Sequence, residues 1–261
     1  MNIPFHRPNI PRNLDKINTD SIKSGWLTTG SQVLRFEKKL SNYLRYKHVV
    51  ALNSCTAGLH LALAAKEFSK GDKFLAPVLT FVSTIECGEY LGISPVLVDC
   101  KKNGFLIDLN FIEDQIKRDT KIKAIIPMHY GGELNDMGNI ISIAEKYGLF
   151  VLEDAAHAVE NSLNNKKEEY LNHAVAFSFY ANKNITSAGE GGALATSNKK
   201  LAQKIKKLSL HGITKDGWNR YKKFGKWEYD ITELGFKYNM TDVSASFALW
   251  QWQFLKKLEL E

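Results

Sequence analysis

Short apolar runs alternate with amphipathic stretches along most of this chain. Residues 49–52, Val-Val-Ala-Leu, predict a strand, and a helix follows over 57–66 with Leu59, Leu61 and Leu63 apolar. The pattern continues with a strand over 74–78, a helix over 82–90, a strand over 95–99 and a helix over 110–118. Residues 122–128 predict a buried strand, 137–147 an amphipathic helix, and 150–152 a strand ending on Glu153 and Asp154. Two further short strands, 174–179 and 192–196, lie either side of a glycine-rich turn. A basic helix spans 202–210, and Thr241 N-caps a last helix that runs to the end of the chain. Repeated strand–helix–strand units predict an α/β fold with a mostly parallel central sheet flanked by helices. Residues 162–169 read as a polar surface loop. The aromatic and charged stretch 214–233 reads as an ordered excursion that contacts something. The last helix carries Phe247, Leu249, Trp250, Trp252, Phe254 and Leu255 around most of its circumference. Such a helix expects cover on several sides, from another subunit or from a domain following residue 261.

Composition narrows the function. With 261 residues, 44% of them hydrophobic, the chain can bury the core of one large domain or two small ones. No apolar run approaches the ~20 residues of a membrane span, and the N-terminus has no apolar stretch after its charges, so no secretory signal is expected. Cys55, Cys87 and Cys100 are odd in number and lie in core-forming segments, which reads as free thiols in a reducing cytoplasm. No C-x-x-C pair or histidine cluster points to a metal. The net charge of +7 favours a phosphorylated ligand or nucleic acid. The bases are nearly all lysines scattered along helices and loops, and arginine is the residue that reads phosphates and bases bidentately. A solvated lysine-rich surface is therefore expected, not a nucleic-acid site. Lys222 and Lys223 beside Tyr221 and Phe224 do not change this.

Ligands of open α/β sheets bind outside the carboxyl ends of the strands, and three segments fall there. The first, residues 53–58, opens a helix with small residues and hydroxyls, a setting that suits an anion such as phosphate. Capping by Ser54 or Thr56 explains it equally. There is no P-loop and no G-x-G-x-x-G, so ATPase and dinucleotide roles are not supported. The second segment, 153–157, puts Asp154 at the mouth of a buried strand, where a carboxylate needs a cationic partner. Ala155 and Ala156 leave room there for a flat ligand, and a protonated pyridine would satisfy Asp154. A structural cap remains the alternative. The third segment sets Lys183 in an uncharged aromatic stretch before Gly189-Glu190-Gly191-Gly192. Burial lowers a lysine's pKa and makes its amine a nucleophile for carbonyls. Ser178 stands five residues before it and can hold an anion. An ordinary turn lysine is the alternative. Together the three segments supply the parts that pyridoxal 5′-phosphate (PLP) requires.

In order along the chain, SGWLTTG (24–30), LNSCTAGLHLAL (52–63), PVLTFVST (77–84), EDAAHA (153–158), SFYANKN (178–184), GEGG (189–192) and GFKYNMTD (235–242) resemble the PLP-dependent nucleotide-sugar aminotransferases of the DegT type. The resemblance implies the large domain of the aspartate-aminotransferase-like fold (fold type I) over residues 1–240. It implies a helix over 241–261 that leads, in relatives, to a small C-terminal domain absent from this chain. It makes Lys183 the Schiff-base lysine and pairs Asp154 with the pyridinium nitrogen. His157 would lie near the phenolic oxygen, Phe81 would stack on the ring, and Cys55, Thr56 and Ser178 would hold the phosphate. Lys237 or Asn239 would reach the cofactor of a dimer partner, and Thr29 would touch substrate near the entrance. The implied reaction moves an amino group from glutamate to a nucleotide-linked keto-sugar for polysaccharide or glycan biosynthesis. The SGWLTTG and GFKYNMTD stretches lean toward a 4-keto-6-deoxy sugar. The alternative is a chain that retains cofactor and dimerises without turning over.

Overall fold

The computed structural model describes residues 10, 17, 19–159, 170–213 and 230–255. The expected polar loop at 162–169, most of the expected excursion at 214–233 and residues 256–261 of the expected terminal helix lie outside these. The described helices are α1 (Asp20–Lys23), α2 (Ser31–Leu44), α3 (Cys55–Lys66), α4 (Val82–Glu89), α5 (Leu109–Arg118), α6 (Met137–Tyr147), α7 (Lys199–Leu208) and α8 (Asp242–Gln251). The strands are β1 (His48–Leu52), β2 (Lys73–Pro77), β3 (Ser94–Val98), β4 (Ile122–Ile125), β5 (Phe150–Asp154), β6 (His173–Ser178) and β7 (Gly192–Thr196).

The seven strands form one sheet in the order β1-β7-β6-β5-β4-β2-β3. Among the described residues β7 runs antiparallel to β1 and β6, and the other pairings are parallel. The mostly parallel α/β sheet is as expected. Strands β5, β6 and β7 are buried along their whole length. Helices cover both faces of such strands, which is why they read as continuous apolar runs. Alternate residues of β6 divide between two cores: Ala174 and Ala176 pack with Leu59, Leu63 and Ile205, whereas Val175 and Phe177 pack with Phe36, Leu40 and Ala248. A third core sets Ile112 and Ile140 against Ile125 and Val151.

Helix limits follow local chemistry. Ser54 Oγ accepts the Ala57 N–H, Asp136 accepts that of Asn139, and Asn198 accepts that of Leu201. Thr241 caps α8 as expected, accepting the Ser244 N–H. In α7 the buried Leu201, Ala202, Ile205 and Leu208 make one apolar stripe among exposed lysines.

Three sequence-based expectations need correction. The strand over 122–128 stops at Ile125, and Met128 rejoins β5 only as a single bridge to Asp154. Pro127, lacking an N–H, interrupts the ladder. The basic helix begins at Lys199 and ends at Leu208, not 202–210, because Asn198 caps it. The terminal helix is covered in part within this chain, by α2, for which the sequence reading gives no element. Trp252 stands edge-on to Tyr43 at 4.9 Å and to Phe36 at 6.4 Å, and Trp250 and Leu255 are buried. Among the described residues no helix is long and apolar enough to cross a membrane.

Candidate active site

A cavity of about 480 Å3 opens at the carboxyl ends of the strands. Its walls include Cys55 and Thr56 at the start of α3, Phe81 at the start of α4, Asp154 at the end of β5, His157, Ser178 at the end of β6, and Lys183. Seven of the ten residues singled out from the sequence are therefore brought together.

The start of α3 is set by Ser54, whose hydroxyl takes the Ala57 N–H at 3.0 Å. The N–H groups of Cys55 and Thr56 precede the first intrahelical bond and are available to an anion. Gly192 allows β7 to pass against this turn. A Cβ there would stand 2.4 Å from Cys55 N and 2.2 Å from Ser54 C. The Cys55 thiol faces the other way, with Sγ 3.9 Å from Asp154 Oδ1. Burial, then the Asp154 carboxylate, pushes that thiol well up, so it stays protonated. What Cys55 offers a phosphate is its backbone, not its side chain. Ser178 Oγ accepts the Tyr180 N–H at 3.3 Å and lines the same cavity.

Asp154 is 1% exposed. Its Oδ2 accepts from Thr84 Oγ1 at 2.6 Å and its Oδ1 from the Ala156 N–H at 3.1 Å. Its backbone is pinned as well, the N–H donating to Pro127 O and the carbonyl accepting from the His129 N–H. Glu153 points to the opposite face of the sheet, as the pleat requires. There its carboxylate bridges the buried rings of His129 and His173, each contact at 2.5 Å.

Lys183 follows β6 in a turn closed by its N–H on Tyr180 O. Burial lowers its pKa, and only partly do Cys55 and Asp154 oppose this. The amine is thus half-buried and biased toward its nucleophilic form. Burial, then the Lys183 charge, lowers His157, with Asp154 opposing. His157 Nδ1 accepts the Gly131 N–H at 3.2 Å, so the neutral ring carries its proton on Nε2. Phe81 is 64% exposed and presents an uncovered aromatic ring beside the cavity.

Thr29, Lys237 and Asn239 do not line this cavity. Thr29 is buried, donating to Met240 O at 2.6 Å and accepting from Asn239 Nδ2 at 2.7 Å. Lys237 is exposed on a segment bridged to Leu210. The SGWLTTG loop instead shapes the start of α2. Asp242 accepts the N–H groups of Gly30, Gln32 and Val33, and Trp26 Nε1 donates to Thr29 O. Sequence reasoning missed Thr80, Tyr130 and Asn182 in the walls and Thr84 behind Asp154. Thr80 and Thr84 lie in a segment already noted for Phe81, but nothing local marks their contacts.

These parts fit PLP. A buried carboxylate reaches the cavity, an amine of lowered pKa faces it, free helix N–H groups lie at its wall, and an aromatic ring is uncovered beside it.

The chain is 44% identical over 260 residues to MJ1066 of Methanocaldococcus jannaschii, covering 99% of this chain and 65% of that protein. It is 42% identical over 257 residues to the spore coat polysaccharide biosynthesis protein SpsC of Bacillus subtilis, covering 98% and 64%. It thus spans just under two thirds of the length of these relatives. Among solved structures, Spr1654 of Streptococcus pneumoniae, assigned as a sugar aminotransferase, superposes in its PMP-form with a TM-score of 0.87 at 31% identity, over 98% of this chain and 69% of that one. Residues 9–260 match one family throughout. On that match, the chain belongs to the DegT/DnrJ/EryC1/StrS aminotransferase family.

Proposed function

We propose that this chain binds PLP and works as a sugar aminotransferase, moving an amino group from glutamate to a nucleotide-linked keto-sugar. The convergence of Lys183, Asp154 and the start of α3 on one cavity carries the proposal. PLP, when bound, supplies a carbonyl for an amine and a conjugated ring that takes up electron density. Lys183 would hold the cofactor through its amine and, as the free base, would carry a proton to and from the substrate Cα. Asp154 would pair with the ring nitrogen. The N–H groups of Cys55 and Thr56, with the hydroxyls of Thr56 and Ser178, hold the phosphate. His157 would offer Nε2–H to the phenolic oxygen, and Phe81 would cover the ring and exclude water.

The likeness to SpsC supports a place in polysaccharide biosynthesis, and the resemblance of the SGWLTTG and GFKYNMTD stretches supports a 4-keto-6-deoxy sugar. The protein acts in the cytoplasm as a homodimer with shared sites. Lys237 or Asn239, which miss their own cavity, reach the cofactor across that dimer. The large domain spans residues 1–240, and 241–261 lead out of it.

The test is a PLP titration of the purified chain followed by visible absorption. Uptake with a band lost in Lys183→Ala supports the reading, and no uptake at all overturns it. Glutamate bleaches the band in an active aminotransferase. A band that glutamate leaves unchanged points to the second reading, a chain that holds cofactor without turnover. A panel of UDP-, GDP- and dTDP-linked keto-sugars then names the acceptor.

A further inference from the structure

Asp154 reaches the cavity with its carboxylate already gripped at both oxygens. Thr84 donates to Oδ2 at 2.6 Å, and the Ala156 N–H donates to Oδ1 at 3.1 Å. Thr84 lies in α4 and is 0% exposed, so water does not compete for the contact. A threonine hydroxyl carries one proton and two lone pairs. With that proton on Oδ2, Thr84 Oγ1 must accept, and Thr80 Oγ1 stands 2.7 Å away as donor. Thr80 also lies 3.1 Å from Met128 Sδ, but a thioether is the weaker acceptor. The hydroxyls form a one-way chain, Thr80 to Thr84 to Asp154.

We infer that Thr84, backed by Thr80, is a positioning residue that fixes the rotation of the Asp154 carboxylate and so aligns it with the ring nitrogen of the cofactor. The inference rests on the PLP reading above. Without Thr84, the Ala156 N–H and the Cys55 thiol hold only Oδ1 and leave the carboxylate free to turn about it. Thr84 adds the second point. Packing alone is the competing explanation, and valine, which has threonine's shape without its hydroxyl, separates the two.

The experiment compares Thr84→Val, Thr84→Ser and Thr80→Val in the full chain. Three quantities are read: PLP affinity by titration, the 15N resonance of ring-labelled PLP, and the position of Asp154 Oδ2 in cofactor-free crystals. Losing a charge-assisted hydrogen bond predicts about tenfold weaker PLP binding in Thr84→Val. The 15N resonance should move toward that of an unprotonated ring, and Oδ2 should leave its wild-type place. Thr84→Ser should retain wild-type values, and Thr80→Val should move the same way by less. Wild-type affinity, resonance and Oδ2 position in Thr84→Val overturn the inference, as does a serine variant that fails like valine. If Thr84→Val does not fold, wild-type behaviour of Thr80→Val overturns it. Failure of the wild-type chain to take up PLP defeats the proposed function instead, and the Oδ2 position then decides the inference alone.

Discussion

Lys183 and His157 are both lowered by burial first, and each has a testable pH signature. The unprotonated amine attacks a carbonyl, so covalent capture of PLP should rise with pH through a midpoint below lysine's ordinary 10.5. Stopped-flow absorbance across alkaline pH measures this, and a midpoint at or above 10.5 contradicts the half-buried setting. For His157 the sign runs the other way from a salt-bridged histidine. Between its lowered value and the ordinary 6.5, the unfolded chain binds more protons than the folded one. Acidification through that window therefore costs stability, and His157→Gln should flatten this part of the stability profile in urea melts. The residues readable from sequence are those with local signals. Lys183 is a lone cation in an uncharged aromatic stretch, and Asp154 ends an apolar strand. Thr84 and Tyr130 gain their roles only when the sheet brings separate crossovers to one cavity, and no local pattern announces that.

At the scale of elements, the start of α2 depends on a residue far along the chain. Asp242 accepts three N–H groups there, at 2.7, 3.2 and 3.0 Å. Asp242→Ala should cost about 2 kcal/mol, as the loss of a strong helix cap does, read as a lower urea midpoint at unchanged slope. Asp242→Asn should recover part of it. Gly192→Ala tests the other close approach. Its Cβ would meet the backbone of Ser54 and Cys55, so PLP affinity should fall by more than stability does. The strands and most helices are legible because their apolar runs are contiguous. Helix α2 was legible too, since Val33, Phe36, Leu40 and Leu44 make a buried stripe, but lysines and serines dilute it.

The whole molecule joins its chemistry to its packing through Phe36. This ring is fully buried and meets Phe179 edge-on at 5.1 Å and Trp252 at 6.4 Å. It ties α2 to the end of the chain and to the segment that carries Lys183. Phe36→Ala should cost about 3–5 kcal/mol, seen in thermal melts, and should weaken PLP binding because the support under Phe179 loosens. Strand β1 adds a kinetic consequence. Its only strand partner among the described residues is β7, and most of the chain separates the two. Contacts between distant segments form slowly, since a long loop must close first. On the ribosome, β1 is made before β7 and waits, apolar and unpaired, until β7 follows. The turn after β1 is thus made well before it can take shape, and the nascent chain is exposed to aggregation and to chaperones in that interval.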